Sequence, residues 1–114
     1  MKVMKLKETW VEVPAGVGTS RFYTVRPGYY EVSSFGRVRN KKTKQLLGCW
    51  RQMMTVKGVR KCDRFNMLKA HLIYGAFHHC NTWGVKIYHI DGDMHNNKIS
   101  NLATTDDLKE MGLL

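Results

Sequence analysis

His89-Ile90-Asp91-Gly92-Asp93-Met94-His95-Asn96-Asn97-Lys98-Ile99-Ser100-Asn101-Leu102 is the stretch on which the reading of this chain turns. The run that leads into it, Val85 to Ile90, is β-prone and carries His89 one residue before its end. Asp91-Gly92-Asp93 is then a strong turn signal. Asn96-Asn97 and Ser100-Asn101 punctuate a compact loop whose short polar side chains can hydrogen-bond nearby backbone. Leu102-Ala103 returns as a strand. Thr104-Thr105-Asp106-Asp107 supplies hydroxyls and carboxylates of the kind that cap a helix N-terminus. A short helix is predicted from about Asp106 to Met111, with Gly112 at its C-cap.

Working upstream, the apolar period changes at Lys69. Leu72, Ile73, Ala76 and Phe77 form the stripe of a short helix, with His71 at its N-terminal end as a packing and hydrogen-bonding residue. His78-His79-Cys80-Asn81 closes that helix, and Trp83-Gly84 turns the chain into the strand that ends at His89. Before Lys69 the pattern is β. Trp10 to Val13 alternates, Pro14 to Gly18 breaks it, and Arg21 to Val25 can extend as a second strand. Tyr29 to Ser33 is a third β-prone run. Arg37-Val38-Arg39 continues extended, with both arginines on one face and Val38 on the other. Asn40 to Lys44 is a basic turn, and Leu46 to Met54 and Met67-Leu68 supply further strand pieces. The class is therefore α+β. A small antiparallel β-rich module occupies residues 1–66, and residues 67–114 hold the helix and the segment quoted above. Trp10, Tyr29, Tyr30, Phe35 and Trp50 are expected in the core of the N-terminal sheet, with Met53 and Met54 filling gaps.

Charge narrows the partners. The 114 residues carry 19 Lys and Arg against 9 Asp and Glu, a formal +10. Residues 21–69 hold thirteen basic and two acidic side chains, a net +11, whereas residues 70–114 come to −2. A cationic middle attracts phosphate through counterion release. Arg37, Arg39, Lys41, Lys42 and Lys44 form one candidate DNA-binding run, and Arg60, Lys61 and Arg64 a second. A solvated surface, or binding to anionic lipid, is the alternative reading of the same charge. Cys49, Cys62 and Cys80 make no CxxC pair and are odd in number, which argues against a disulfide framework; they are expected as small buried hydrophobes in a reducing cytosol. His78, His79 and Cys80 have no second Cys or His pair at zinc-finger spacing. No apolar run approaches membrane-spanning length, and the N-terminus lacks a signal-peptide core, so a cytoplasmic protein is expected.

The pattern His-x-Asp-Gly, Asn-Asn, Asn-Leu and then a helix resembles the core of the HNH, or His-Me finger, homing-type endonucleases. Trp10 followed by Tyr29-Tyr30-Glu31-Val32-Ser33-Ser34-Phe35-Gly36-Arg37-Val38-Arg39 resembles a module found N-terminal to such nucleases. Lys69 to Phe77 is similar to their linking helix. The resemblance implies a C-terminal ββα-metal finger, hydrolysis of double-stranded DNA assisted by one Mg2+ or Mn2+ ion, and a mobile or phage-type setting in the host cell cytoplasm. A neutral imidazole beside a water accelerates its attack on phosphorus near neutral pH. By the likeness His89 is that base, and Asn101 is the residue that orients it across the hairpin. Asp91, Asn96 and Asn97 would brace the loop.

Two positions depart from the family. Tyr88 stands where some members carry a metal-binding Asp. The family's metal-binding Asn or His in the last helix falls on Glu110, or on Lys109 if one residue near Thr104 is deleted. Glu110 would be an oxygen ligand there, which Lys109 could not be, and Asp93, Asp106 or Asp107 are the donors that could serve instead. His95 is expected exposed in the loop. Related enzymes often append a DNA-reading segment, and this chain stops soon after the finger; weak intrinsic specificity, or a homodimer or protein partner that supplies it, is the expectation. A catalytically degenerate DNA-binding module, or an interaction protein that uses its basic face on an acidic partner, are the alternatives.

Overall fold

Val32 shows how the N-terminal half is built. It lies opposite Val11 on one side and Val38 on the other, and it is fully buried with Val38. Period-2 alternation of this kind puts one face of each strand into a core and leaves the other for charge. In a computed structural model of the chain, residues 7–49, 51–60 and 62–114 are described, so the expectations at Trp50 and Lys61 fall outside. Four antiparallel strands, β1 (Trp10–Glu12), β2 (Tyr30–Ser33), β3 (Val38–Asn40) and β4 (Leu46–Leu47), pair in that order. A separate hairpin joins β5 (Met53–Lys57) to β6 (Arg64–Leu68), with Met54 opposite Met67. Helix α1 (Lys69–His78) follows directly and packs on β1, β2 and β6. Val13, Val17, Val25, Val56, Met67, Leu72 and Ile73 complete a shared core that extends to Ile87 and Leu102 near the C-terminal end. The molecule is thus a small α+β protein of antiparallel sheets and few helices.

The C-terminal segment is built differently. Strands β7 (Tyr88–His89) and β8 (Leu102–Ala103) are two residues each, and helix α2 (Thr105–Glu110) follows. The helix start matches the sequence reading. Thr104 accepts from the Asp107 amide, and the Asp107 carboxylate accepts from the Thr104 amide, a reciprocal capping box. Gly112 has φ +75 just past the helix. The sheet meets the loop at Gly36, where φ is +88 and an added Cβ would lie 2.7 Å from the Asn97 carbonyl carbon. The Ile99 amide donates to the Ser34 carbonyl beside it at 3.0 Å.

Four expectations are corrected. Arg21 to Val25 is no strand: the Ser20 hydroxyl accepts from the Phe22 and Tyr23 amides, curling the segment, and only isolated bridges to Gly18 and Gly58 remain. The strand over Val85 to Ile90 shrinks to Tyr88–His89, because the Val85 amide is taken by the Thr82 carbonyl in a turn. Phe35 is exposed and Trp10 half-buried, since Trp10 serves as the platform for arginines rather than as core; Met53 is exposed while Met54 is buried. Cys49 and Cys62 are exposed and Cys80 only partly buried, as the first two lie in loops rather than on the inward face of a strand.

Candidate active site

Strand β7 ends on His89, and the loop that follows it is polar and tied down. Backbone bonds pin the strand end: the Ile90 amide donates to the Asn101 carbonyl at 2.9 Å, and the Gly92 amide to the His89 carbonyl at 2.9 Å. The loop beyond is organised by Asp91. Its Oδ1 accepts from the Asp93 amide and from Asn101 Nδ2, and its Oδ2 from Asn96 Nδ2 at 2.7 Å. These donors, the Asn96 amide first, hold the Asp91 carboxyl below the usual carboxylate range, with nearby His89 adding to the effect. Buried Asn101 closes the ring: its Nδ2 also donates to the Asn96 carbonyl at 2.8 Å, and its Oδ1 accepts from the Asp91 amide at 3.0 Å.

The residue that holds His89 is Asn97. Its Oδ1 lies 2.8 Å from His89 Nε2, and Asn97 is itself buried under the Gly36 turn. A carbonyl oxygen only accepts, so Nε2 carries the proton and Nδ1 is the basic nitrogen. The expectation that Asn101 orients the histidine is therefore corrected. Asn101 follows the tight 3-10 turn Ile99–Asn101 with its amide facing into the loop, where Asp91 and Asn96 use up its bonding capacity. The sequence placed both asparagines in one loop but could not say which amide faced which partner.

The acidic residues expected to hold a metal are not brought to His89. Asp107 is committed to the Thr104 cap and to the Tyr74 hydroxyl, which donates to it at 2.5 Å. Those two bonds, the Thr104 amide first, hold its carboxyl low, while burial and the same contact push Tyr74 up to about 12. Tyr74 also stacks on His78 with ring centroids 4.1 Å apart. Asp106 and Glu110 are exposed; Glu110 lines an open hollow with His78, Ser100 and Asp107. His89 instead lines a hollow with Gln52, Leu68, Ala70, His71 and Asn97. Asp93 accepts from the His95 amide at the exposed loop tip. Among the described residues no three His, Cys, Asp or Glu side chains come together as a metal site. A divalent ion of this kind needs several oxygen donors aimed at one point, and the residues present do not fit one held by the protein alone. His71 is a packing residue with its Nδ1 2.7 Å from the Thr82 hydroxyl, and burial lowers its proton affinity.

The basic hairpin is also less free than its sequence suggests. Arg37 is bonded to Glu8, Arg39 to Glu31 at 2.9 Å, Lys41 to Glu12 at 2.8 Å and Lys44 to Glu31 at 2.9 Å. Arg37 and Arg39 do share a face, both lying over the Trp10 ring, Arg39 at 3.7 Å from its centroid. Lys42, Arg60 and Arg64 are exposed. No helix among the described residues is long and apolar enough to cross a membrane.

Comparison with known proteins adds two findings. The NUMOD4 motif matches residues 8–83, two thirds of the chain and the whole span from β1 through α1. A solved structure described as "DNA binding and cleavage by the HNH homing endonuclease I-HmuI" superposes with a TM-score of 0.55 at 19% identity, covering 93% of this chain and 60% of that one. At that identity the likeness speaks for the fold, and this chain spans well under two thirds of the other's length. No curated protein gives a significant match.

Proposed function

The chain belongs to the NUMOD4 motif family, and from that premise we propose that it is a DNA endonuclease of the HNH homing type with His89 as the proton acceptor. The observation that carries the reading is the 2.8 Å contact between His89 Nε2 and Asn97 Oδ1. A half-buried histidine is held by one ring nitrogen in a tautomer that leaves the other basic, which is what general-base chemistry requires. A water positioned by that nitrogen gives up its proton to it while its oxygen attacks phosphorus, and the bond to the departing 3′ oxygen breaks. Asn97 fixes the ring, Asp91, Asn96 and Asn101 fix the strand end that carries it, and the cationic N-terminal half contributes affinity for the duplex.

The fold shared with a DNA-binding and DNA-cleaving homing endonuclease supports this reading. Supercoiled plasmid incubated with Mg2+ or Mn2+ is the test. The wild-type chain is expected to nick or cut it, and His89→Ala to be slower by about 10²- to 10⁴-fold with unchanged DNA retention. A second reading, a DNA-binding module of the same fold without cleavage, is favoured by one observation: Glu110 lies in a hollow apart from the one that His89 lines. Equal binding with no cutting by either protein selects that reading.

A further inference from the structure

A cleft of about 420 Å³ lies between the N-terminal sheet and the loop that holds His89. Arg37, Arg51, Lys69 and His95 line it together with Asn97, and Phe35 and Leu47 are among its apolar sides; of these cations Arg37 is paired with Glu8. Among the described residues no carboxylate lines it. Lys69 is the unusual member. It is only 7% exposed, and no hydrogen bond or ion pair to its ammonium is found among the described residues, so the stem is packed while the ammonium itself reaches the cleft. Its backbone is fixed as the first residue of α1, with its amide donating to the Gln52 carbonyl at 2.8 Å. Its stem runs against Gly48, where an added Cβ would lie 3.0 Å from Lys69 Cε. Burial pulls its proton affinity down. A lysine whose stem is packed and whose ammonium opens only into a cleft keeps part of its hydration and loses the rest. The start of α1 behind it has no side-chain cap and no acidic residue in its first turn, so its amide dipoles add positive potential. A group that supplies negative charge offsets both costs.

We propose that this cleft is a phosphate pocket, in which Lys69 and Arg51 take a backbone phosphate of the DNA strand beside the one presented to His89. The proposal rests on the DNA-cleaving reading for its occupant, but the pocket chemistry stands without it. Asn97 links the two places, since it lines this cleft and holds the imidazole. The cleft also answers a question left by the hairpin, whose cations are mostly neutralised by Glu8, Glu12 and Glu31. Phosphate contact moves from the paired run to Arg51 and Lys69, which have no acid beside them among the described residues, while Arg37 at the edge of the cleft stays tied to Glu8.

The decisive readout is the salt dependence of duplex affinity for the full chain. Lys69→Met and Arg51→Gln are each expected to reduce the slope of log affinity against log salt by about 1, whereas Lys41→Met, whose charge is paired, leaves it near the wild-type value. Arg51 is exposed, so its variant keeps the test alive if Lys69→Met fails to fold. Unchanged slopes in the folded variants overturn the proposal. Titration with inorganic phosphate, followed by amide NMR at Gly48, Cys49, Lys69 and His95, separates the sources. Phosphate shifts with unchanged DNA slopes mean a free-phosphate site and also overturn it. Reduced slopes in a protein that never cuts plasmid leave the pocket standing while the nuclease reading fails.

Discussion

The N-terminal sheet and the loop from Asp91 to Asn101 solve the same problem with opposite materials. The sheet is held by apolar side chains stacked on both neighbours, Val32 against Val11 and Val38, over a core reaching Leu72 and Ile73. The loop has strands of two residues at its ends and is held by amides and the carboxylates of Asp91 and Asp93, with Asn101 alone making three side-chain hydrogen bonds. Apolar burial is non-directional and tolerates small shifts, whereas each hydrogen bond fixes a distance and an angle. A chemical group that must point at a reacting atom belongs on the second kind of support, and His89 sits there.

Damage to the two regions should therefore look different. Ile73→Ala opens a cavity in the common core and is expected to cost about 2–5 kcal/mol, read as a fall in the melting temperature of the whole chain. Asn101→Ala leaves that core intact but removes three bonds, a cost of roughly 3 kcal/mol at the usual net value per bond. Hydrogen exchange should localise the loss to residues 90–101, with the N-terminal sheet still protected. If Asn101→Ala melts both regions equally, the contrast is wrong.

Smaller changes sharpen it. Asp107 is held low by the Thr104 amide and the Tyr74 hydroxyl. Its folded affinity for a proton is depressed, so its stabilisation is complete above the unfolded carboxyl value near pH ~4 and fades as pH falls through the lower folded one. Asp107→Asn should therefore be less stable than wild type at neutral pH, by about 1 kcal/mol for the cap, with the gap closing in acid. A gap that persists undiminished at low pH contradicts the assignment. The smallest effect belongs to the hairpin. Lys44→Met removes an exposed partner of Glu31 and is expected to change stability by less than about 1 kcal/mol in chemical denaturation, and a larger loss would mean the charged pairs carry the sheet.

What was legible in the sequence follows the same division. The stripe Leu72, Ile73, Ala76 and Phe77 announced α1, and Thr104 with Asp107 announced the cap of α2, because both signals are local in the chain. The arginines flanking Val38 were correctly put on one face by strand period alone. The segment from Arg21 to Val25 departs from its β-prone pattern because a single hydroxyl, that of Ser20, outweighs the β-preference of the residues after it. The roles of Asn97 and Asn101 were exchanged for a similar reason. Both are asparagines of one short loop, and it is the folded path of that loop, with the Asn97 backbone close to Gly36, that leaves the Asn97 amide at His89. Pairing of Lys41 and Lys44 with Glu12 and Glu31 depends on strand order, which no local pattern states.

The central claim concerns one proton. Nitrogen-15 NMR of the His89 imidazole, recorded on the neutral ring in wild type and in Asn97→Ala, reads its position directly. The account predicts the proton on Nε2 and a bare, basic Nδ1 in the wild type, with that preference weakened when Asn97 is removed. A proton on Nδ1, or a tautomer indifferent to Asn97, contradicts it.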